Sequence, residues 1–482
     1  MAPHSLPSST TSVFSVSALE KDEEAAIDTI PTSSKDDTAP IPNDGTPAPP
    51  GYRTENGKHF GPDGSELEPS QTRTAILEVS GLSLHPELPN TYIVGWESDD
   101  DPTNPLNWAP WRRWGTVFLV SLITLITPLA STMFAAAVPI LMEEFGVQSK
   151  ILNAFVVSIF VLGFVIGPLI CSPLSELHGR LPVYHTSNFV FLCFTIACAV
   201  APNLPALMVF RFMAGSAGSA ALAIGGGTIA DVIPIHHRGK AMVLFSMGPI
   251  LGPVIGPVGG GFAVQALGWR WIFWILTIAS GAVCALCLAV MRETFAPKIL
   301  KVRTRELEKR YKHVAFRSKY WSPLTEKEYL IRSLVRPLRM LVNPIVLSLS
   351  LYLAVGYGYL YLVFTTLSLI FRTKYGFGLG AAGLSFLGSG VGSIIGAGVY
   401  AYWADTVHQY LSKKHGGVRP EFRLPALMVA AVVMPLGLFM YGWTLEKGVH
   451  WMAPQIACGV FGFSLVLVFV SPLCNDPSES PH

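Results

Sequence analysis

A single arginine lies inside a long apolar stretch of this 482-residue chain. The stretch reads LMVFRFMAGSAGSAALAIGGGTIADV and surrounds Arg211 with hydrophobic and small residues. A guanidinium keeps its charge in proteins and is costly in an apolar helix unless it faces a cavity or a partner. We therefore predict that Arg211 is a functional residue that faces a substrate-binding cavity or a partner. The alternative is that its long side chain extends to the polar end of the helix, roughly 10 Å away.

Charged residues also lie at the ends of apolar stretches, where ion pairs can form. Glycine permits a tight turn, and a carboxylate beside an arginine can form a contact that breaks when helices move. The segment GPLICSPLSELHGRLPVY combines these residue types. An ordinary turn with a charged anchor is the alternative. The candidate gating or coupling residues are Glu176, Gly179, Arg180, Asp231, Arg238 and Asp405.

Gly-Pro pairs recur every four residues in the segment GPILGPVIGPVGGG. This spacing places the glycines on one face of a helix. Glycine lets a neighbouring helix approach closely, and proline removes a backbone donor and permits bending. A generic small-residue packing face is the simpler interpretation of such a pattern. The residues of this Gly-Pro face are Gly248, Pro249, Gly252, Pro253, Gly256, Pro257, Gly259 and Gly260.

The elements that must position these residues are apolar helices. Only 14% of the residues are charged, and long windows without any Asp, Glu, Lys or Arg alternate with short charged clusters. Each window is long enough to cross a bilayer as a helix, so the pattern predicts an all-α integral membrane protein. The ten predicted spans are 115–135, 152–172, 183–201, 205–229, 242–264, 271–291, 344–370, 380–402, 424–442 and 452–471.

The distribution of lysine and arginine predicts the orientation. Between the spans, 23 of these residues fall on one side and five on the other, which places the amino terminus in the cytosol. Fourteen of them lie in a charged linker that divides the spans into six and four. We interpret this linker as a solvated charged segment, and binding to anionic lipid is the alternative. The predicted parts are a disordered tail (1–110), a six-helix bundle (111–291), a basic cytosolic linker (292–342), a four-helix bundle (343–471) and a polar tail (472–482).

Several classes of protein are disfavoured by composition. A net charge of +2 gives no indication of nucleic-acid binding. Six of the seven cysteines fall inside apolar windows, so neither a disulfide framework nor a zinc site is expected. The adjacent pair His236 and His237 lacks the spacing of metal-binding histidines. We therefore expect no metal, no cofactor, no catalytic residues and no enzymatic activity.

Several segments resemble the major facilitator superfamily. The loop with Glu176 and Gly179-Arg180, and Arg211 followed by Gly215 and Gly218, are similar to its signatures in helices 2 to 4. The Gly-Pro face resembles the antiporter signature of its drug exporters. Further similar segments are DPTNPLNWAPWRRW, ADVIPIHHRGKAM, GWRWIFWI and GGVRPEFRLP. The chain therefore resembles the twelve-span fungal drug:proton antiporters.

This resemblance implies a central cavity between helices 1, 4, 7 and 10, which takes a small-molecule substrate by alternating access. It also implies proton-coupled export of drugs, toxins or secondary metabolites by a monomer in the plasma membrane rather than the vacuole. Asp231 is the preferred proton-coupling residue. Besides Arg211, the candidate substrate-binding residues are Tyr357, Tyr361 and Phe364 on one face of span 7, Phe134 in span 1, and Gln455 and Phe461 in span 10.

The family has twelve spans, whereas only the polar segment SPLCNDPSESPH follows the tenth span here. We expect an incomplete second bundle that transports poorly, with Glu176 lacking its usual helix-end partner. Uptake or facilitated diffusion, and a transport-inactive truncated product or sensor, remain alternatives. The span 8 glycines expected to face lipid are Gly388, Gly390, Gly392, Gly396 and Gly398.

Overall fold

The computed structural model describes residues 53–55, 58–60, 82–84, 91–147, 149–310, 315–322, 324–415 and 425–473. Its helices are α1 (Pro110–Met133), α2 (Val138–Glu144), α3 (Lys150–His178), α4 (Arg180–Ala199), α5 (Leu204–Gly218), α6 (Ala220–Val232), α7 (Ile235–Leu267), α8 (Arg270–Val290), α9 (Ala296–Arg310), α10 (Glu326–Met340), α11 (Pro344–Thr373), α12 (Leu379–Leu384), α13 (Leu387–His415), α14 (Pro425–Lys447) and α15 (Met452–Leu473). The strands are β1 (Arg53–Glu55), β2 (Lys58–Phe60), β3 (Leu82–Leu84), β4 (Thr91–Val94) and β5 (Ala315–Ser318). Strands β1 and β2 form an antiparallel pair within a separate unit, residues 1–76.

Ten helical segments of the described chain are long and apolar enough to cross a membrane. Spans 1 to 6 are α1 with α2, α3, α4, α5 with α6, α7 and α8; spans 7 to 10 are α11, α12 with α13, α14 and α15. Span 1 is longer than predicted, because a 3-10 turn at Phe134–Ala137 joins α1 to α2. Gly179 and Gly268 separate consecutive helices with φ values of 95° and 91°, which favour glycine.

The spans form two bundles, each with its own buried apolar core. Spans 1 to 6 enclose one core and spans 7 to 10 the other. Span 5 contributes to both, since Phe245 lies in the first core and Ile250 in the second. Span 5 is therefore the helix through which the two bundles pack, and it is also the helix of the Gly-Pro face.

The described parts of the linker form α9, β5 and α10, and part of the predicted disordered tail folds with them. Strand β4 pairs with β3 on one side and runs parallel to linker strand β5 on the other. The Asp101 carboxylate is buried, accepts bonds from the Thr103 amide and hydroxyl at 2.8 and 2.6 Å, and pairs with Arg303 at 3.2 Å. Arg303 also pairs with Glu97. The prediction of disorder is therefore wrong for residues 91–109, because these ion pairs and strand bonds compensate for the small apolar surface of the segment. Apart from β1 to β3, residues 1–90 lie outside the described part, as does the polar tail from residue 474.

The glycines of span 8 are packed, contrary to the expectation that they face lipid. A Cβ atom at Gly388, Gly392 or Gly396 would collide with the span 10 backbone, at Gln455, Gly459 and Phe463. At Gly390 it would lie 2.5 Å from Val254 of span 5. Only Gly398 of the five has open space around it. Small residues four apart let two helix backbones touch, and span 10 supplies the partner surface.

Candidate functional site

The Arg211 guanidinium is enclosed between spans 1, 2 and 4. Its Cζ lies 4.0 Å from the ring centroid of Phe134 and 5.1 Å from that of Phe160. Nε donates to the Val156 carbonyl at 3.1 Å, whereas buried Nη2 has no hydrogen-bond partner among the described residues. The side chain is only 1% exposed, so it does not extend to the helix end. A buried donor without an acceptor is costly, which makes this atom a candidate contact for a bound solute.

The two bundles touch beside Arg211. The Ser131 hydroxyl of span 1 lies 3.3 Å from the Tyr361 hydroxyl of span 7, close enough for a hydrogen bond. Ser131 lies three residues before Phe134, about one helical turn from the ring that contacts Arg211. Sequence reasoning named Tyr361 and Arg211 but missed Ser131 and Phe160, which carry no sequence signal beyond membership of an apolar helix. The structure therefore gathers a cation, two hydroxyls and two aromatic rings at one place.

The other aromatic candidates lie further from this cluster. Phe364 packs edge-on against Phe386 with ring centroids 5.2 Å apart, inside the second core. Phe461 is buried in that core beside Gly437. The backbone of Gln455 packs on span 8 at Gly388. Tyr357 contacts Phe469 in a tilted arrangement, with ring centroids 5.7 Å apart. These contacts are those of helix packing.

A second polar cluster lies at the ends of the spans to which the linker is attached. We call this side of the protein the linker side. Arg180 Nε pairs with Asp231 at 3.3 Å, and its Nη1 donates to the Ser175 hydroxyl at 2.8 Å. Both charged side chains are largely buried, with 12% and 21% exposed. Arg238 donates to the Ala230 carbonyl at 3.1 Å. The side chain of Asp405 lies outside the described part of the structure.

Glu293 was missed as a functional residue and joins this cluster from the start of the linker. Its carboxylate accepts bonds from the backbone amides of Arg180 and Leu181, at 2.9 and 3.3 Å, at the start of span 3. Gly179 has a φ of 95°, which favours glycine, and the absence of a side chain there leaves room for that carboxylate. Amides at a helix start lack partners within the helix and favour an anion. The signal in the sequence was an acid following span 6 on the same membrane side.

Glu176 has two hydroxyl partners that the sequence did not indicate. The hydroxyls of Tyr329 and Ser333 on α10 both donate to its Oε2 at 3.3 Å. Arg180 instead pairs with Asp231, inside the same six-helix bundle. The physical reason is that α10, whose fold the sequence did not indicate, lies against the linker-side end of span 2.

The Arg180–Asp231 ion pair predicts that a single variant and the corresponding double variant differ in their free energy of unfolding. Arg180→Gln should leave a largely buried carboxylate unpaired and lower the free energy of unfolding by about 1–3 kcal/mol. The double variant Arg180→Gln with Asp231→Asn should recover part of that loss, because no unpaired charge remains. Thermal unfolding in detergent measures this, with exposed Arg292→Gln as the charge-matched control. Equal losses in the double and single variants would contradict the pairing.

The Gly-Pro face packs directly on the span 1 backbone. A Cβ atom at Gly248 would lie 2.7 Å from the Thr124 hydroxyl, and one at Gly252 would lie 3.0 Å from the Leu125 carbonyl. At Gly256 and Gly260 it would collide with Thr132 and Met133. Gly259 is exposed, and its Cβ would lie 3.8 Å from the end of the flexible Met133 side chain. The packed face therefore comprises the four glycines at four-residue spacing.

The prolines of this segment are buried within an uninterrupted helix. A Cβ atom at Gly383 of span 8 would lie 2.6 Å from the Pro257 carbonyl. Span 5 therefore contacts span 1 through its glycines and span 8 through the backbone at Pro257. This one helix connects the bundles while remaining fixed in the first.

Two bundles of membrane-spanning helices, joined by a charged linker and packed against each other through span 5, define a membrane transport protein. The chain belongs to the Major Facilitator Superfamily, whose model matches residues 120–479. Its members are transporters and not enzymes. The MFS-type transporter penM of Penicillium rubens is 46% identical over 395 residues, which cover 82% of this chain and 78% of that protein.

Two further comparisons agree with this assignment. The efflux pump radE of Floropilus chiversii is 39% identical over 406 residues, which cover 84% of this chain and 76% of that protein. The proton:xylose symporter XylE from E. coli superposes with a TM-score of 0.54 at 15% identity, over 76% of this chain and 82% of XylE. At that identity the likeness to XylE concerns the fold alone.

Proposed function

We propose that this protein exports small amphipathic molecules, such as drugs, toxins or secondary metabolites, in exchange for protons by alternating access. The observation that carries the proposal is the Gly-Pro face, because it resembles the antiporter signature of drug exporters and packs along span 1 through four glycines. Such packing leaves no room for side chains between these helices, so spans 1 and 5 move as one body. The similarity to an efflux pump supports the same direction of transport.

The proposed substrate site is the cluster of Arg211, Phe134, Phe160, Ser131 and Tyr361. Aromatic rings suit the apolar part of an amphipathic molecule, and the free Nη2 of Arg211 suits an acceptor oxygen such as a carboxylate, phenolate or carbonyl. A substrate that binds Arg211 would compete with the Ser131–Tyr361 contact and so affect how the bundles meet.

The proposed proton-coupling residue is Asp231. Its carboxylate lies near the end of span 4 and pairs with Arg180. Protonation would remove the negative charge and weaken this ion pair, which gives a route from proton binding to helix movement. In this proposal the linker side is cytosolic, as the excess of lysine and arginine there indicates, and the protein acts as a monomer in the plasma membrane.

The proposal is tested by expressing the full chain in a yeast strain without its own drug exporters. Cells loaded with an amphipathic fluorescent dye should lose it several-fold faster than vector-only cells, and a protonophore should abolish the difference. Inside-out vesicles should accumulate the dye only when their lumen is acidic, because protons then leave as substrate enters. Increased dye uptake by intact cells, or export unaffected by the protonophore at matched protein levels, would contradict the proposal.

A further inference from the structure

The second linker helix, α10, has two distinct exposed surfaces. Its apolar side chains Ile331, Leu338 and Val342, the last just beyond the helix end, are 61%, 59% and 82% exposed. At 100° per residue these three positions lie within one narrow sector of the helix. The side chains of Arg332, Arg336 and Arg339 are also exposed and cluster in a neighbouring sector. An apolar face with a basic flank is the pattern of helices that lie in a membrane interface.

Two attachments hold α10 at the membrane surface. Near its start, Tyr329 and Ser333 bond to Glu176 at the end of span 2. At its other end, only residues 341–343 separate α10 from span 7. Such a connection reaches at most about 14 Å, so the end of α10 must stay near the start of span 7. Both ends of the helix are therefore held beside the linker-side ends of membrane spans.

The exposed apolar surface continues from α10 into span 7. Val342 is followed by Ile345, Leu347 and Leu351, which are exposed at the start of that span and would face lipid in a membrane. The strip from Leu338 to Leu351 is unbroken by acidic residues. Lipid acyl chains can cover both the apolar face of α10 and the start of span 7 as one continuous surface.

We propose that α10 lies in the headgroup layer on the linker side, with its apolar face towards the acyl chains, and that Arg332, Arg336 and Arg339 bind anionic phospholipid. Guanidinium groups donate paired hydrogen bonds to phosphate. Because the same helix bonds to Glu176, lipid bound there contacts the cluster at the span 2–3 loop. The proposal rests on the cytosolic assignment of the linker side, since anionic lipid is concentrated in that leaflet.

Photocrosslinking in the full chain tests this surface. Benzoyl-phenylalanine replaces Leu338, and the protein is reconstituted in vesicles of phosphatidylcholine with a minority of phosphatidylserine; the crosslinked species is then identified by mass spectrometry. We expect lipid adducts in which phosphatidylserine is enriched about fivefold over its bulk fraction, as one basic residue near an anionic surface would produce. Lys319 is exposed in the β5–α10 loop and provides the control position, where few lipid adducts are expected.

The arginines are tested by Arg332→Gln, Arg336→Gln and Arg339→Gln together, which should return the phosphatidylserine fraction to its bulk value while lipid adducts persist. The charge-matched control combines Lys301→Gln, Arg305→Gln and Lys309→Gln, exposed positions on α9, and should keep the enrichment. Peptide adducts in place of lipid, lipid adducts without enrichment, or equal loss in both triple variants would overturn the proposal. Export does not enter this readout, so failure of the proposed function would leave the result interpretable.

Discussion

Replacing Gly256 with leucine is expected to reduce export to the level of vector-only cells. A Cβ atom there would collide with the Thr132 hydroxyl on span 1, and leucine adds three further carbons. Neighbouring helices would have to separate, at a cost of about 1–3 kcal/mol or more for an overfilled contact. The loss of close helix packing should disturb the movement of spans 1 and 5 as one body. Dye export at matched membrane levels measures the effect.

Gly259→Leu is the matched control, because it makes the same substitution three residues away on the same helix. Gly259 is exposed, and its Cβ would lie 3.8 Å from the nearest atom, the mobile end of Met133. We expect Gly259→Leu to export at nearly the normal rate, although it lies in the same sequence motif. Equal export by both variants, or equal loss, would show that packing on span 1 is not what the motif supplies.

Arg211→Met is expected to lower transport while leaving the protein as stable as before, or more stable. Methionine keeps much of the side-chain volume between Phe134 and Phe160 but removes the charge and the free donor. A buried cation whose Nη2 lacks a described partner is a cost to folding, whereas a charge-assisted hydrogen bond to substrate contributes about 1.5–3 kcal/mol. The ratio of maximal rate to Km should therefore fall about 10- to 100-fold.

Thermal unfolding measures the effect on stability, and initial rates of export measure the effect on transport. Arg211→Lys should recover little transport, because an ammonium cannot reproduce the planar fork of the guanidinium. Arg372 is exposed at the end of span 7 that is distant from the linker. Arg372→Gln therefore serves as the control for loss of one positive charge. A variant Arg211→Met that loses stability and transport in parallel would identify Arg211 as a packing residue only.

Much of the architecture could be predicted from the sequence. The ten spans and the central linker followed from the distribution of charge, since an apolar window about 20 residues long has few alternatives to a membrane helix. The resemblance to the superfamily was confirmed by the match over residues 120–479. The packing of the Gly-Pro face was also predictable, because four-residue spacing defines one side of a helix whatever its partner.

The pairing of particular side chains could not be predicted in the same way. Arg180 was expected to interact with the acid of its own loop, but it pairs with Asp231, and Glu176 instead binds Tyr329 and Ser333. Periodicity identifies the face of a helix on which a residue lies, whereas its partner depends on how helices distant in sequence are placed. For the same reason Glu293 was counted as one acid of a linker and not as the cap of span 3.

The sequence by itself determined that this chain crosses a membrane, approximately where its ten spans lie, and which helix faces carry glycine, aromatic or charged groups. These properties follow from local hydrophobicity and helix geometry. Only the tertiary structure decided that Arg211 is enclosed by Phe134 and Phe160, that span 8 packs its glycines on span 10, and that residues 91–109 fold against the linker. Those outcomes depend on contacts between segments far apart in the chain, whose energies arise only when the surfaces meet.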